Sequence, residues 1–267
     1  MLHWLTERRR HHLLEQPFPD AWRAILDRDV GAYRWVDADE QQRLRDLVQV
    51  FVAEKHWEGA GGLELTDEIR VTVAGTGCQM LVNRDHDLFA DVLSIVVYPS
   101  AVVVPENARS FWDPGLAVAK GDTPVIGLAG RGDALVLAWD AALRGARDQR
   151  DGSNVVIHEL AHKIDFLDGS ADGTPPLAGR EARRAWASAF EPAFLRHRER
   201  AARGERSLLS DYAITNEAEY FAVATEMFFE KPRALADELP EVYAQLRDFF
   251  RLDLAARVTD RAASRSR

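Results

Sequence analysis

The pattern of apolar and polar positions predicts helices in the first part of the chain. Trp22, Ile25 and Leu26 share one helical face. A longer stretch places apolar residues at i, i+3, i+4, i+7 and i+8, which is the spacing of a helix that buries one side. Its members are Leu44, Leu47, Val48, Phe51 and Val52. We expect both stretches to pack on a hydrophobic core.

The stretch 69–82 fits two kinds of element. Ile69, Val71 and Val73 alternate with other residues, as in a half-buried strand. Positions three or four residues apart, from Arg70 to Leu81, also line up on one side of a helix. The pattern leaves a strand and a helix equally open here.

Short apolar runs rich in β-branched residues occupy the middle of the chain, separated by proline and glycine. The predicted strands are residues 92–98, 101–104, 115–119, 125–128 and 134–139. From residue 153 onward the pattern is helical again. Helices, then a small mixed sheet, then helices indicate a mostly helical α+β protein, with the sheet beside the second set of helices.

We interpret residues 1–267 as a single domain with three parts. A helical N-terminal part is expected over about residues 1–90. A part that holds the sheet and the chemistry is expected over about residues 91–252. A flexible basic tail is expected over about residues 253–267.

The segment 153–169 contains the pattern H-E-x-x-H on a predicted helix. His158 and His162 are four residues apart, so both imidazoles project from one face, where two nitrogens can bind one Zn²⁺. Glu159 lies one step round the helix from His158. From there it can reach a water on the ion without binding the ion itself.

This predicted helix also has clear ends and an apolar side. Ser153 or Asn154 can cap its start, and Gly169 can end it. The face opposite the histidines is apolar and would anchor the helix in the core. It consists of Ile157, Leu160, Ala161 and Ile164.

A catalytic zinc site needs a third protein ligand and an open position. Asp168, ten residues after His158, stands where metzincins place that ligand, but they require a glycine where this chain has Asp165. Glu219, on a later predicted helix as in gluzincins, is the other candidate. Asn216 and Glu219 also have the spacing of a capping box, in which Glu219 would only stabilise the helix start. Spacing alone leaves both roles of Glu219 open.

Asp165 shares the helix face of His158 and His162. A carboxylate there could orient His162 by a hydrogen bond. A solvated acid at the helix end, or a contact with Lys163, is the alternative.

The predicted strand 134–139 precedes the motif helix by a short connection. It is a candidate sheet edge to which a substrate peptide could add as a further strand. An internal, buried strand of the sheet is the alternative.

The segments that carry this chemistry resemble the Mlc titration factor A family of bacterial zinc peptidases. The resemblance covers roughly residues 15–252 and is most specific over 154–229. The matching segments are 158–169, 211–213 and 215–222, with strand-like segments at 96–99 and 135–140.

The same block is similar to the metal site of lethal-factor-type metallopeptidases, where a tyrosine precedes the glutamate ligand by seven residues. Tyr212 precedes Glu219 by the same distance. The resemblance implies a zincin-like fold and one Zn²⁺ per chain, bound by His158, His162 and Glu219. It also implies that Glu159 is the general base and that Tyr212 assists catalysis.

The predicted activity is zinc-dependent hydrolysis of peptide bonds. A zinc-activated water would give its proton to Glu159, which would pass it to the leaving amine. The resemblance implies aminopeptidase-like activity on small peptides, binding to the repressor Mlc and an influence on the glucose phosphotransferase system. Two alternatives remain: a protein that works by sequestering a regulator, and a metal-dependent hydrolase of non-peptide amides or esters.

Composition narrows the classes of partner and compartment. With 34 Lys and Arg against 43 Asp and Glu, the net charge is −9, which gives no electrostatic reason to bind nucleic acid. Cys78 is the only cysteine, which excludes an internal disulfide and a thiolate zinc cluster. No apolar run reaches the length of about 18 residues expected of a membrane helix. Only two apolar residues stand between the basic cluster at 8–10 and Glu15, too few for the apolar region of a signal peptide. We therefore expect a cytoplasmic protein without membrane contact.

Overall fold

The computed structural model describes residues 2–84, 86–101, 127–128 and 133–258. In these ranges the helices are α1 (Leu2–Leu14), α2 (Asp20–Asp29), α3 (Ala38–Glu54), α4 (Asp67–Cys78), α5 (Trp139–Arg147), α6 (Val155–Asp165), α7 (Gly179–Ala202), α8 (Glu217–Glu230), α9 (Pro232–Glu238) and α10 (Pro240–Phe250). The strands are β1 (His56–Gly59), β2 (Ser94–Tyr98), β3 (Gly127–Leu128) and β4 (Ala134–Ala138). The described chain is thus mostly helical with a small sheet, as predicted. None of its helices combines the length and apolarity needed to cross a membrane.

The sheet has the order β1-β2-β4-β3. β1, β2 and β4 run parallel, while β3 pairs with β4 in the antiparallel direction. Ile95 and Val97 of β2 are buried beside Leu135 and Leu137 of β4, which stand opposite them in the register. This alternation places one apolar row of the sheet in the core.

Three predictions about strands are corrected. β1 lies inside the part that was expected to be helical. The pattern did not predict this strand, because four residues are too few to show an alternation of apolar and polar positions. Trp139 begins α5 and is not part of β4. β4 pairs with β2 on one side and β3 on the other, so the proposed exposed edge is wrong and the internal-strand alternative is right. The predicted strand residues 102–104, 115–119 and 125–126 lie outside the described residues.

The ambiguous stretch 69–82 is mainly helix α4. Thr66 caps it by accepting a hydrogen bond from the Ile69 amide, which fixes its start. Every residue from Ile69 to Cys78 except Arg70 is buried. This part of the helix therefore has no polar side, and its apolar residues do not repeat with the period of a half-buried helix. At Gly77 a Cβ atom would come within 2.5 Å of Leu160 Cδ1, so glycine lets α4 approach α6 closely.

The motif helix α6 lies at the centre of the molecule. It packs against α4, α5, α8, β3 and β4. Between Val155 and Asp165 every residue except His158 is buried. The sheet therefore lies beside the motif helix, as expected.

The C-terminal segment, expected to be a flexible basic tail over about 253–267, is held against the helices as far as residue 258. Leu254 is buried, and the Arg257 guanidinium donates to the Glu40 carboxylate of α3 at 2.8 Å. Residues 259–267 lie outside the described residues.

A buried carboxylate joins α2 to α5. Asp29 is fully buried and accepts hydrogen bonds from Arg28 Nη2 and from Arg147 Nε, each at 2.7 Å. Burial raises the pKa of Asp29, but the hydrogen bonds from the two arginines outweigh it and hold that pKa below its ordinary value. The pairing therefore favours the folded state once Asp29 is ionised.

Replacement of Asp29 by asparagine should lower the free energy of unfolding at neutral pH by roughly 1.5–3 kcal/mol, the range for hydrogen bonds to charged groups. Because the folded-state pKa is depressed, this contribution is present above about pH 4 and is lost as the pH falls through that pKa. Urea unfolding of both proteins at several pH values should show the difference shrinking in acid. Asp27→Asn, an exposed neighbour on the same helix, is the matched control. A loss of equal size in the control would contradict this role.

Candidate metal centre

α6 brings the two motif histidines together, as their spacing predicts. Asn154 caps the helix by accepting a hydrogen bond from the Ile157 amide at 3.3 Å. The Nε2 atoms of His158 and His162 lie 3.2 Å apart. His162 is buried, and the His158 side chain is 12% exposed. The open side of the pair is therefore at His158.

α8 adds a carboxylate to the two imidazoles. The Glu219 amide donates to Asn216 Oδ1 at 2.9 Å, so the predicted cap exists. The Glu219 side chain, however, extends to the histidines: Oε2 lies 3.1 Å from His158 Nε2 and 3.3 Å from His162 Nε2. The backbone and side chain of Glu219 thus take part in the cap and the cluster respectively.

These three side chains fit a divalent ion. Their ligand atoms all lie within 4.8 Å of one another. A tetrahedral ion with bonds of about 2.0–2.1 Å holds its ligand atoms about 3.3 Å apart, close to the separations seen here. Glu219 Oε2 is buried next to both Nε2 atoms, and within the described part of the chain it has no well-aligned hydrogen bond. Two imidazole nitrogens and one carboxylate oxygen form the donor set of a catalytic zinc site.

The electrostatics of Glu219 suit a ligand. Burial alone would raise its pKa, but His158 and His162 beside it hold that pKa at about 2. The carboxylate is therefore ionised at neutral pH, which is the form that binds a cation.

Glu159 is buried beside the cluster on the same helix. Burial raises its pKa to about 7, with His158 lowering it and the Glu219 carboxylate raising it. A carboxylate with a pKa near neutrality is suited to accept and return a proton.

Tyr212 lies on the 3₁₀ turn Asp211–Ile214, just before α8. Its hydroxyl donates to Glu219 Oε1 at 3.1 Å, and its ring centroid lies 5.8 Å from that of His158. Burial, followed by the charge of Glu219, raises the pKa of the phenol well above its usual value. Although the residue is 45% exposed, its hydroxyl is therefore a neutral donor at the rim of the cluster.

The alternative third ligand is not part of the cluster. Asp168 is exposed, and its Oδ1 accepts a hydrogen bond from the Ser170 amide at 3.0 Å. Asp168 ends the 3₁₀ turn Phe166–Asp168 that continues α6, whereas the ligand atoms that converge belong to His158, His162 and Glu219.

The suggested role of Asp165 in orienting His162 is wrong. Its carboxylate oxygens accept from the amides of Gly173 at 3.0 Å and Thr174 at 2.9 Å. His162 Nδ1 is buried without a hydrogen-bond partner among the described residues. Asp165 is fully buried, so the solvated alternative is wrong as well. The acid fixes the loop that follows α6.

Sequence reasoning missed Glu226. Its Oε1 lies 2.7 Å from His158 Nδ1, and its Oε2 accepts from the Asn154 amide at 2.5 Å. The signal was its position seven residues after Glu219, which places both carboxylates on one side of α8.

Comparison with known proteins places these residues in a family context. Residues 4–251 match the model of the family described as glucose-regulated metallo-peptidase M90. An uncharacterized protein of Synechocystis sp. is 31% identical over 253 residues, which is 94% of this chain and 90% of that protein. Mlc titration factor A of Serratia proteamaculans is 31% identical over 228 residues, 84% of each chain. Mlc titration factor A of Edwardsiella ictaluri is 29% identical over 249 residues, 87% of this chain and 92% of the relative.

Among solved structures, the Pro-Pro endopeptidase PPEP-2 from Paenibacillus alvei matches with a TM-score of 0.40 and 14% identity. The match covers 74% of this chain and 98% of that one.

The cluster predicts opposite effects for the two candidate third ligands. Glu219→Ala should weaken zinc binding by more than the 10–100-fold typical for loss of an outer-shell partner, because it removes a ligand atom. Asp168→Ala should leave the affinity unchanged. Titration of both variants with zinc against a competing chelator measures the difference. Loss of affinity in Asp168→Ala alone would show that the third ligand is misassigned.

Proposed function

Because the chain belongs to the glucose-regulated metallo-peptidase M90 family, we propose that it is a zinc-dependent peptidase with a zincin-like fold and a gluzincin-type site. The observation that carries the proposal is the convergence of three ligand atoms at separations that suit a tetrahedral ion. Zinc is the proposed metal because a set of two imidazoles and one carboxylate is typical of catalytic zinc. One ion per chain would be held by His158, His162 and Glu219.

In the proposed reaction each side chain has a separate task. When bound, zinc would act as a Lewis acid: it would lower the pKa of a water molecule and polarise the scissile carbonyl. Glu159 receives the proton of that water and hands it to the leaving amine, a task that its pKa of about 7 supports. The hydroxyl of Tyr212 donates a hydrogen bond to the carbonyl oxygen as negative charge develops there. For this it has to exchange its hydrogen bond with Glu219.

We further propose that residues 1–267 act as one domain in the cytoplasm, on small peptides and from the amino end. The aminopeptidase specificity comes from the family likeness. The relatives named Mlc titration factor A support an Mlc-type repressor as a protein partner. That name also favours the alternative in which the chain works by sequestering the repressor. A buried acid at position 159 supports the catalytic proposal, because sequestration requires no proton acceptor.

Glu159→Gln should leave zinc bound and lower peptide hydrolysis by about 10²–10⁴-fold, the usual contribution of a general base. The amide has the same shape as the carboxylate but cannot accept the proton. Zinc content and turnover of a panel of aminoacyl and peptidyl reporters measure the two properties, and N-acetylated reporters test the preference for a free amino end. Substantial turnover by a zinc-loaded Gln variant would refute the base assignment. No hydrolysis of any reporter by zinc-loaded wild type would refute the peptidase proposal.

Tyr212→Phe should lower kcat by about 10²–10³-fold with little change in KM, since the lost hydrogen bond acts mainly in the transition state. The ring, and with it the contact to His158, is retained. Steady-state kinetics measure the effect, and zinc content and thermal stability serve as controls. A variant with normal zinc content and near wild-type kcat would mean that the ring only packs.

A further inference from the structure

The imidazole of His158 is held from both sides. Its Nε2 faces Glu219 and His162, while its Nδ1 lies 2.7 Å from Glu226 Oε1. We propose that Glu226 is a positioning residue that fixes the tautomer and orientation of His158, and that the Asn154 amide holds Glu226 in place. The inference rests on the proposed zinc site.

Only one tautomer of His158 serves a metal at Nε2. A neutral imidazole carries a single N–H, so Nε2 has a free lone pair only when Nδ1 carries the hydrogen. Glu226 accepts a hydrogen bond at Nδ1 and thus favours that tautomer. A carboxylate there also makes Nε2 a stronger ligand.

Glu226 is itself anchored to the start of the motif helix. Its second oxygen accepts from the Asn154 amide at 2.5 Å. The Asn154 side chain donates to Glu230 Oε1 at 3.0 Å, while its own oxygen caps α6. Glu226 and Glu230 stand one turn apart on α8, so both carboxylates bind the same cap residue. Negative charge at this end of α6 is also favoured by the helix dipole.

Of the two histidines, only His158 has a carboxylate at its Nδ1 atom among the described residues. His162 Nδ1 is buried and has no hydrogen-bond partner among the described residues. The packed interior around it is therefore what holds His162, whereas His158 is partly exposed and depends on a polar contact. Loss of Glu226 should consequently act on one ligand.

A glutamine cannot replace this carboxylate. Two nitrogens face Glu226. The Asn154 amide donates to it, and His158 Nδ1 also needs an acceptor there in the tautomer that binds zinc through Nε2. An amide offers one oxygen and one NH₂ group, so one of the two donors would face another donor. If the NH₂ group faced Nδ1, it would favour the tautomer that cannot bind zinc.

A cavity beside Glu226 makes chemical rescue feasible. Its volume is about 230 Å³, and its walls include Val223 and Met227 beside Glu226. Asp151, Ser153 and Ser210 also line it and are exposed, so the cavity is open to solvent. A small carboxylate such as formate can therefore enter the space that a shortened side chain leaves.

The test compares Glu226→Gln and Glu226→Ala with Glu217→Ala, a control that removes the same charge from an exposed position of α8. Zinc affinity is measured by chelator competition, with sodium formate or sodium chloride at equal ionic strength. We expect both Glu226 variants to bind zinc about 10–100-fold more weakly than wild type. Formate, but not chloride, should restore part of the affinity of Glu226→Ala. The control should match wild type.

Proton NMR of the zinc-loaded protein gives a readout that a merely structural role would not move. A His158 Nδ1 proton shifted downfield by the carboxylate is expected in wild type and the control, and should be lost in Glu226→Ala. If that variant does not fold, Glu226→Gln alone decides. Wild-type zinc affinity in Glu226→Gln, or equal recovery with chloride and formate, would overturn the inference and leave the peptidase proposal standing. If wild type binds zinc but hydrolyses no peptide, the peptidase proposal fails and the inference about Glu226 stands.

Discussion

The contact between α6 and α8 determines where the three candidate metal ligands and the proposed general base lie. α6 supplies His158, Glu159 and His162, and α8 supplies Glu219. Burial of such polar groups costs free energy unless they are paired, so the interface must be stabilised by its apolar members. Ile157, Leu160, Phe221 and Phe228, which belong to the same two helices, are fully buried. Their burial fixes both helices in the core, and with them the positions of the ligand atoms.

The charges of the cluster explain why a cation belongs there. Glu159, Glu219 and Glu226 surround two imidazoles, and each carboxylate raises the cost of ionising another. His158 and His162 lower the pKa of Glu219 and keep it ionised, whereas burial raises the pKa of Glu159 to about 7. A divalent ion would offset the remaining negative charge. The Nε2 atoms of the two imidazoles face each other at 3.2 Å, and an ion between them would give both nitrogens a partner.

Local patterns in the sequence predict those features that depend on one helix. The pairing of His158 with His162 and the cap at Asn154 follow from spacing within α6. Features that depend on contacts between distant segments do not follow from spacing. The cap at Asn216 and the reach of Glu219 to the histidines coexist, and spacing shows only the first. A catalytic role for Tyr212 was implied by the family resemblance and not by spacing. Helix α4 was ambiguous for a related reason, since burial on all sides erases the periodicity on which such predictions depend.

The site also divides rigid from adaptable groups. Its candidate ligands stand on helices whose backbones are buried and capped, which restricts their motion and keeps the ligand geometry intact. Tyr212, in contrast, is half exposed on a short 3₁₀ turn. Its hydroxyl donates to Glu219, so rotation of the side chain breaks that hydrogen bond. The proposed mechanism requires this hydroxyl to leave the carboxylate and reach a substrate oxygen within one turnover. A side chain on an exposed, short turn can make that exchange at low cost.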